Sequence, residues 1–104
     1  MNERIRAPAT KTKLLSKELL VAREIYAATV IEKRTPMYFN QLVERMTQRK
    51  LASRATISVA LDMLFDQGFV RAEWTQTSEG KHVRGLTIAG EAMKFVKAIY
   101  DATK

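Results

Sequence analysis

The fold is decided by one stretch of sequence, SRATISVALDMLFDQGFV, which runs from Ser53 to Val70. Ser53 is a typical N-cap residue, and Gly68 stands where many helices end in a left-handed conformation. Between them, apolar side chains recur at three- and four-residue steps, the spacing of a buried helix face. They are Ile57, Ala60, Leu61, Leu64 and Phe65. The stretch therefore predicts a helix that starts after Ser53, reaches Gln67 and stops at Gly68.

A β-hairpin is predicted directly after this helix. Residues 69 to 77 are rich in β-branched and aromatic residues and alternate apolar with polar side chains. Residues 78 to 80 favour a turn, and the segment from Lys81 to Leu86 can return as the second strand. Trp74, on the first strand, is expected to pack over the base of the hairpin against the last helix rather than to stack on a ligand.

The first helix of the chain is predicted between Ser16, a second N-cap candidate, and Arg34. It ends there because Pro36 disfavours helical geometry at the residue that precedes it. The apolar residues of this segment form two stripes rather than one. Two stripes predict a helix with two buried faces.

A second helix and a last helix complete the predicted elements. Residues 37 to 39 are expected to form a very short strand, and Asn40 is expected to cap a helix from Gln41 to about Gln48. Thr87 is expected to cap the last helix, which runs from Ile88 to about Ala102. The inward side chains of the second helix are predicted to be Leu42, Val43 and Met46. The fold class is therefore mainly α with a small β-hairpin, in the order helix, strand, helix, helix, strand, strand, helix, which is that of a winged helix-turn-helix.

The composition indicates one folded domain with a large excess of positive charge. Eighteen Lys and Arg against eleven Asp and Glu give a formal net charge of +7 over 104 residues, so polyanions are the natural partners. The absence of Cys and the single His exclude disulfides and argue against a zinc site. No hydroxyl residue has His and Asp companions at a plausible triad spacing, so we expect neither an enzyme nor a cofactor.

The chain is expected to divide into an arm and a domain. Residues 1 to 13 carry basic residues, including Arg4 and Arg6, without apolar periodicity, which predicts a flexible basic arm before a domain at 14 to 104. No signal peptide is evident, and no apolar run approaches the ~20 residues that a membrane span needs. We therefore expect a cytoplasmic protein without a membrane partner.

Two motifs resemble known DNA-binding regulators. Residues 53 to 70 resemble the recognition helix and following strand of MarR-like winged-helix regulators, which commonly read S-x-x-T-V-S-x-x-(L/V)-x-x-L-x-x-x-G-(L/F)-V. The sequence LTIAG, from Leu86 to Gly90, resembles the L-T-x-x-G that opens the last helix in MarR and PadR-like proteins. The resemblance covers roughly residues 38 to 92. It implies a small winged-helix transcriptional regulator that binds double-stranded DNA. The two apolar stripes of the first helix and the broad stripe of the last are more than one small core can absorb, so we expect a homodimer with these two helices in its interface.

The candidate DNA contacts lie around the start of the 53–67 helix and on the hairpin. A helix of this kind fits the major groove, and the hairpin at 69 to 86 would act as the wing. Short hydroxyls and small apolar side chains suit base edges and thymine methyls, whereas basic residues suit phosphates. The predicted contacts are Arg49, Lys50, Ser53, Arg54, Ala55, Thr56, Ser58, Val59, Lys81, His82 and Arg84. Arg45 belongs to the same basic cluster.

A second interpretation stays open at this point. Some winged helices bind proteins, so the chain can instead be a module for protein assembly, or for replication or plasmid maintenance machinery. Val59 and Met63 would then form an exposed apolar patch on the same helix. His82 is expected to be an exposed wing residue rather than a metal ligand, and the methionines are typical of core filling rather than of an effector pocket.

Overall fold

The computed structural model describes residues 15 to 104, apart from the side chain of Thr75. The predicted basic arm at 1 to 13 lies outside the described residues. Within the described part there are four helices and one two-stranded antiparallel hairpin, which confirms the mixed α and β class. The elements are α1 Lys17–Tyr26, α2 Phe39–Gln48, α3 Arg54–Asp66, β1 Val70–Gln76, β2 His82–Ile88 and α4 Met93–Thr103. None of these helices is long and apolar enough to cross a membrane.

The helix α1 is the centre of the core. Its N-cap is Ser16, as predicted, and the Ser16 Oγ accepts a hydrogen bond from the Leu19 N–H at 3.2 Å. Every residue from Leu20 to Tyr26 is buried, which confirms the prediction of more than one buried face. A π-helical turn, Ala27–Ile31, continues the helix, so the helical segment ends three residues before Arg34.

The start of α2 differs from the prediction. The helix begins at Phe39, and the Asn40 cap is wrong because the side chain of Gln41 reaches back to accept a hydrogen bond from the Tyr38 N–H at 2.9 Å. Leu42, Val43 and Met46 are buried as predicted. The short strand at 37 to 39 does not form either. Only the Met37 carbonyl pairs with the hairpin, accepting from the Leu86 N–H at 2.7 Å.

The helix α3 follows its predicted boundaries closely. The Ser53 Oγ accepts from the Thr56 N–H at 3.2 Å, and Gly68 adopts a φ of +76° just beyond the helix. Four of the five predicted inward residues are buried, whereas Phe65 is 37% exposed. Phe65 lies at the edge of the apolar stripe, because it is one residue, or about 100° of helix rotation, beyond Leu64.

The second strand is longer than predicted, and this moves the last helix. Antiparallel register runs from Val70 opposite Ile88 to Gln76 opposite His82. Thr87 and Ile88 therefore belong to β2, and the predicted Thr87 cap is wrong because the buried Ile88 completes the sheet face of the core. A 3₁₀ turn, Gly90–Ala92, then leads into α4.

The outer half of the hairpin projects beyond the core. Trp74 is 66% exposed, so the predicted packing of its indole against the last helix is wrong. The pair Ala72 and Leu86 comes one step earlier on the same face, and Leu86 is the last buried residue before Trp74. Trp74 lies further out on the hairpin, where its side chain is exposed. It packs on Arg84, whose guanidinium carbon lies 5.6 Å from the ring centroid.

Candidate nucleic-acid interface

The N-terminal half of α3 presents short side chains to solvent. Ser53, Arg54, Ala55, Ser58 and Val59 are exposed and Thr56 is half-buried, with Val59 at 61% exposure. The Ser53 hydroxyl donates to the Thr56 Oγ1 at 3.0 Å while it accepts from the Thr56 N–H. These two hydroxyls therefore fix the start of the helix, and the Thr56 O–H is left as the donor of the pair.

Arg54 joins the starts of two helices. Its Nη2 donates to the Asn40 Oδ1 at 3.1 Å, and its guanidinium carbon lies 4.9 Å from the centroid of the Phe39 ring. A guanidinium has five N–H donors, so this arrangement orients the cation and leaves most of its donors available. Arg54 thus offers a positioned charge at the solvent-exposed beginning of α3.

A buried carboxylate takes up part of the basic cluster. Glu24 is fully buried on α1, and its oxygens accept hydrogen bonds from Arg23, Arg45 and Arg49 at 2.5 to 3.0 Å. Arg23 also donates to the Thr103 carbonyl at 3.2 Å, which ties α1 to the end of α4. Glu24 is therefore the centre of an ion network that links α1 to α2, and the hydrogen bond from Arg23 extends this network to α4.

Arg45 is committed to this network rather than to solvent. Besides its bond to Glu24, it donates two hydrogen bonds to the Glu32 carboxylate at 2.9 and 2.6 Å. The hydrogen bond from Arg45 lowers the pKa of Glu32 below its ordinary value. The same bond raises the pKa of Arg45 above its ordinary value. The placement of Arg45 in a phosphate-binding cluster is not supported by this geometry. Arg49 shares Glu24 but stays about half exposed.

The connection between α2 and α3 is held in place from α1. Lys17 donates from its Nζ to the Leu51 carbonyl at 2.8 Å, and Lys50 adopts a φ of +57° in the same connection. Lys17 also lines a shallow groove beside α3 with Ala55, Thr56 and Val59. It is not among the residues predicted from the sequence, because no local pattern indicates that the first turn of α1 packs next to α3.

The hairpin carries its cations on an ordered turn. Lys81, His82 and Arg84 are exposed, and Gly80 has a φ of +87° at the tip. The Gln76 Nε2 donates to the Gly80 carbonyl at 3.1 Å, and the Thr77 Oγ1 accepts from the Lys81 N–H at 3.2 Å. In residues 15 to 104 no hydrogen bond or ion pair joins these three side chains to α3. The predicted contacts therefore form two separate sets, one at the start of α3 and one on the hairpin.

Comparison of this chain with models of protein families, with curated proteins and with solved structures finds no match. The roles of the two sets of residues rest on their geometry and chemistry alone.

Proposed function

We propose that this chain is a small winged-helix protein that binds double-stranded DNA as a homodimeric transcriptional regulator. In this proposal α3 enters the major groove and the β1–β2 hairpin is the wing. The observation that carries it is the pairing of an exposed, small-residue surface at the start of α3 with a cationic hairpin, in a chain of net charge +7. The order of helices and hairpin supports the winged-helix interpretation.

The dimensions and chemistry of α3 agree with this role. An α-helix with its side chains is ~10–12 Å across and the major groove is ~12 Å wide. Ala55 and Val59 present methyl groups that suit thymine, and Ser58 presents a hydroxyl that suits either base edges or phosphates. Arg54 and Lys17 flank this surface and would contact the phosphates on its two sides.

Exposed apolar residues away from α3 support self-association. Phe95 on α4 is 49% exposed and lies edge-on to Phe69, with 5.7 Å between ring centroids. Ile31, at the end of the π-helical turn, is 47% exposed. A two-fold dimer through α4 and the π-helical turn that continues α1 would cover such residues and would present two α3 helices to half-sites about one helical turn apart.

A second candidate function is a protein-binding module. Val59 and Met63 lie one helical turn apart on α3, and Met63 is 41% exposed. An apolar stripe of this kind suits a protein groove as well as thymine methyls. The cationic hairpin has no evident use in that case, which is why we favour DNA.

The test is duplex binding measured as a function of salt. If a dimer neutralises about six phosphates, log affinity should fall against log salt with a slope of about −5. Replacing Lys81 and Arg84 together with Ala removes four cations from the dimer, so it should weaken all duplexes alike and reduce the steepness of the slope by about 3.6. Lys94→Ala, which removes an exposed charge from α4, is the matched control and should leave the slope unchanged. A slope near zero for the unaltered chain would contradict the proposal and favour the protein-binding module.

A further inference from the structure

The two faces of the outer hairpin differ in chemistry. Antiparallel register places Trp74 opposite Arg84 and Gln76 opposite His82, so these four side chains share one face, hereafter the Trp74 face. This face continues outward from the pair formed by the half-buried Ala72 and the buried Leu86. Since side chains alternate along a strand, the intervening residues point to the other side.

Negative charge is confined to the other face and the tip. Glu73 and Arg71 project from the opposite face, where Arg71 donates two hydrogen bonds to Glu91 at 3.0 and 3.2 Å. The remaining carboxylate of the hairpin, Glu79, lies in the turn. Among the described side chains of residues 70 to 88, the Trp74 face therefore holds cationic, aromatic and amide groups but no carboxylate.

Trp74 is the most exposed of the large apolar side chains described, at 66%. The guanidinium of Arg84 lies over its ring, and such a cation–π pair fixes the ring orientation. An indole held in place beside a guanidinium can pack on a deoxyribose at the edge of a groove while the cation contacts the neighbouring phosphate. A protein partner with acidic groups would satisfy the cations but would not need the planar surface.

We infer that the Trp74 face, and not the Glu73 face, is the side of the hairpin that contacts nucleic acid, with the Trp74 indole packed on nucleotides and Arg84 and His82 at the adjacent phosphates. This inference rests on the proposed function and adds to it the residue by which the hairpin makes an apolar contact. Charge complementarity determines the choice of occupant, because a polyanion is the partner that a face with the guanidinium of Arg84 and no carboxylate attracts.

The chain offers a direct test because Trp74 is its only tryptophan. The full-length chain is titrated with a short duplex of random sequence, and binding is followed both by anisotropy of labelled DNA and by intrinsic tryptophan emission. We expect the duplex to quench the emission and to protect the indole from acrylamide. Trp74→Ala should weaken binding about ten-fold, as expected when an aromatic contact is removed from an interface, without changing the salt slope, because the indole is uncharged.

The controls separate this inference from the proposed function. Val83→Ala truncates an apolar side chain on the opposite face and should bind duplex like the unaltered chain. Trp74→Phe keeps an aromatic ring and should bind more tightly than Trp74→Ala. Circular dichroism checks that each variant is folded. Duplex binding with unchanged emission and an unaffected Trp74→Ala variant would overturn the inference and leave the proposed function standing. Emission that changes with protein concentration in the absence of DNA would assign the Trp74 face to a second copy of the chain and would also overturn it. Absence of duplex binding by the unaltered chain would overturn the proposed function itself.

Discussion

Replacing Glu24 with glutamine should destabilise the fold more than any other single change of charge in the described residues. The carboxylate is fully buried and accepts hydrogen bonds from three arginines, one of which, Arg23, is itself only 6% exposed. Glutamine has nearly the same shape, but it leaves the Arg23 guanidinium without a counter-charge. Removing one partner of a buried ion pair costs about 3–5 kcal/mol. Small domains are stable by only ~5–15 kcal/mol, so a large part of the stability is lost.

The assay is urea unfolding followed by circular dichroism. In a thermal melt followed by the same signal, a loss of about 3 kcal/mol corresponds to a fall in Tm of about 12–24 °C for a domain of this size. Glu44→Gln on α2 is the matched control, because it removes the same charge from an exposed position and should change stability by no more than about 0.5 kcal/mol. If the free energy of unfolding of Glu24→Gln lies within about 1 kcal/mol of that of the unaltered chain, then Glu24 is not the energetic centre of the network.

Two further predictions concern stability. The hydrogen bond from Arg45 lowers the pKa of Glu32 in the folded state, so this group stabilises the fold above its ordinary pKa of 4.5, and that contribution is lost as the pH falls through the lower folded value. Glu32→Gln should therefore make stability less sensitive to acid below about pH 4.5, which thermal melts across a pH series will measure; equal acid sensitivity in both proteins would refute this. Gly85→Ala should cost about 1–3 kcal/mol, because the new Cβ would lie 2.8 Å from the Cβ of Pro36. Gly90→Ala, whose Cβ would meet nothing within 4 Å, is its control, and equal urea midpoints for the two variants would show that the close approach of residue 36 does not constrain the hairpin.

Local signals in the sequence predicted the parts of the fold that local chemistry determines. The boundaries of α3 follow from the cap at Ser53 and from Gly68, and both residues act as their types suggest. The hairpin follows from alternation and from a Gly turn. The cap at Thr87 failed because the residues around it suit both a strand end and a helix start. Pairing with β1, which is a long-range contact, decided in favour of the strand.

The candidate site depended more strongly on long-range contacts. Arg45 was predicted to belong to the phosphate-binding cluster because other basic residues lie near it in the sequence. Its partner Glu24 is 21 residues away on another helix, so no local pattern indicates their ion pair. Trp74 was expected to be buried because large aromatic residues usually are. The exposure of Trp74 depends on how much of the hairpin the helices cover. That coverage is set by tertiary packing, which no local pattern in the sequence indicates.

The tethers around the α2–α3 connection affect the entropy of any association at this surface. Lys17 holds the Leu51 carbonyl, and Arg54 is held by Asn40 and Phe39. Immobilising a long side chain costs about 0.5–1.5 kcal/mol when it occurs on binding. In this chain that ordering takes place during folding, so a ligand that docks on the start of α3 meets a surface that is already rigid. Calorimetry of such a complex should then give a heat-capacity change that matches the buried apolar area alone, without the additional term of coupled folding.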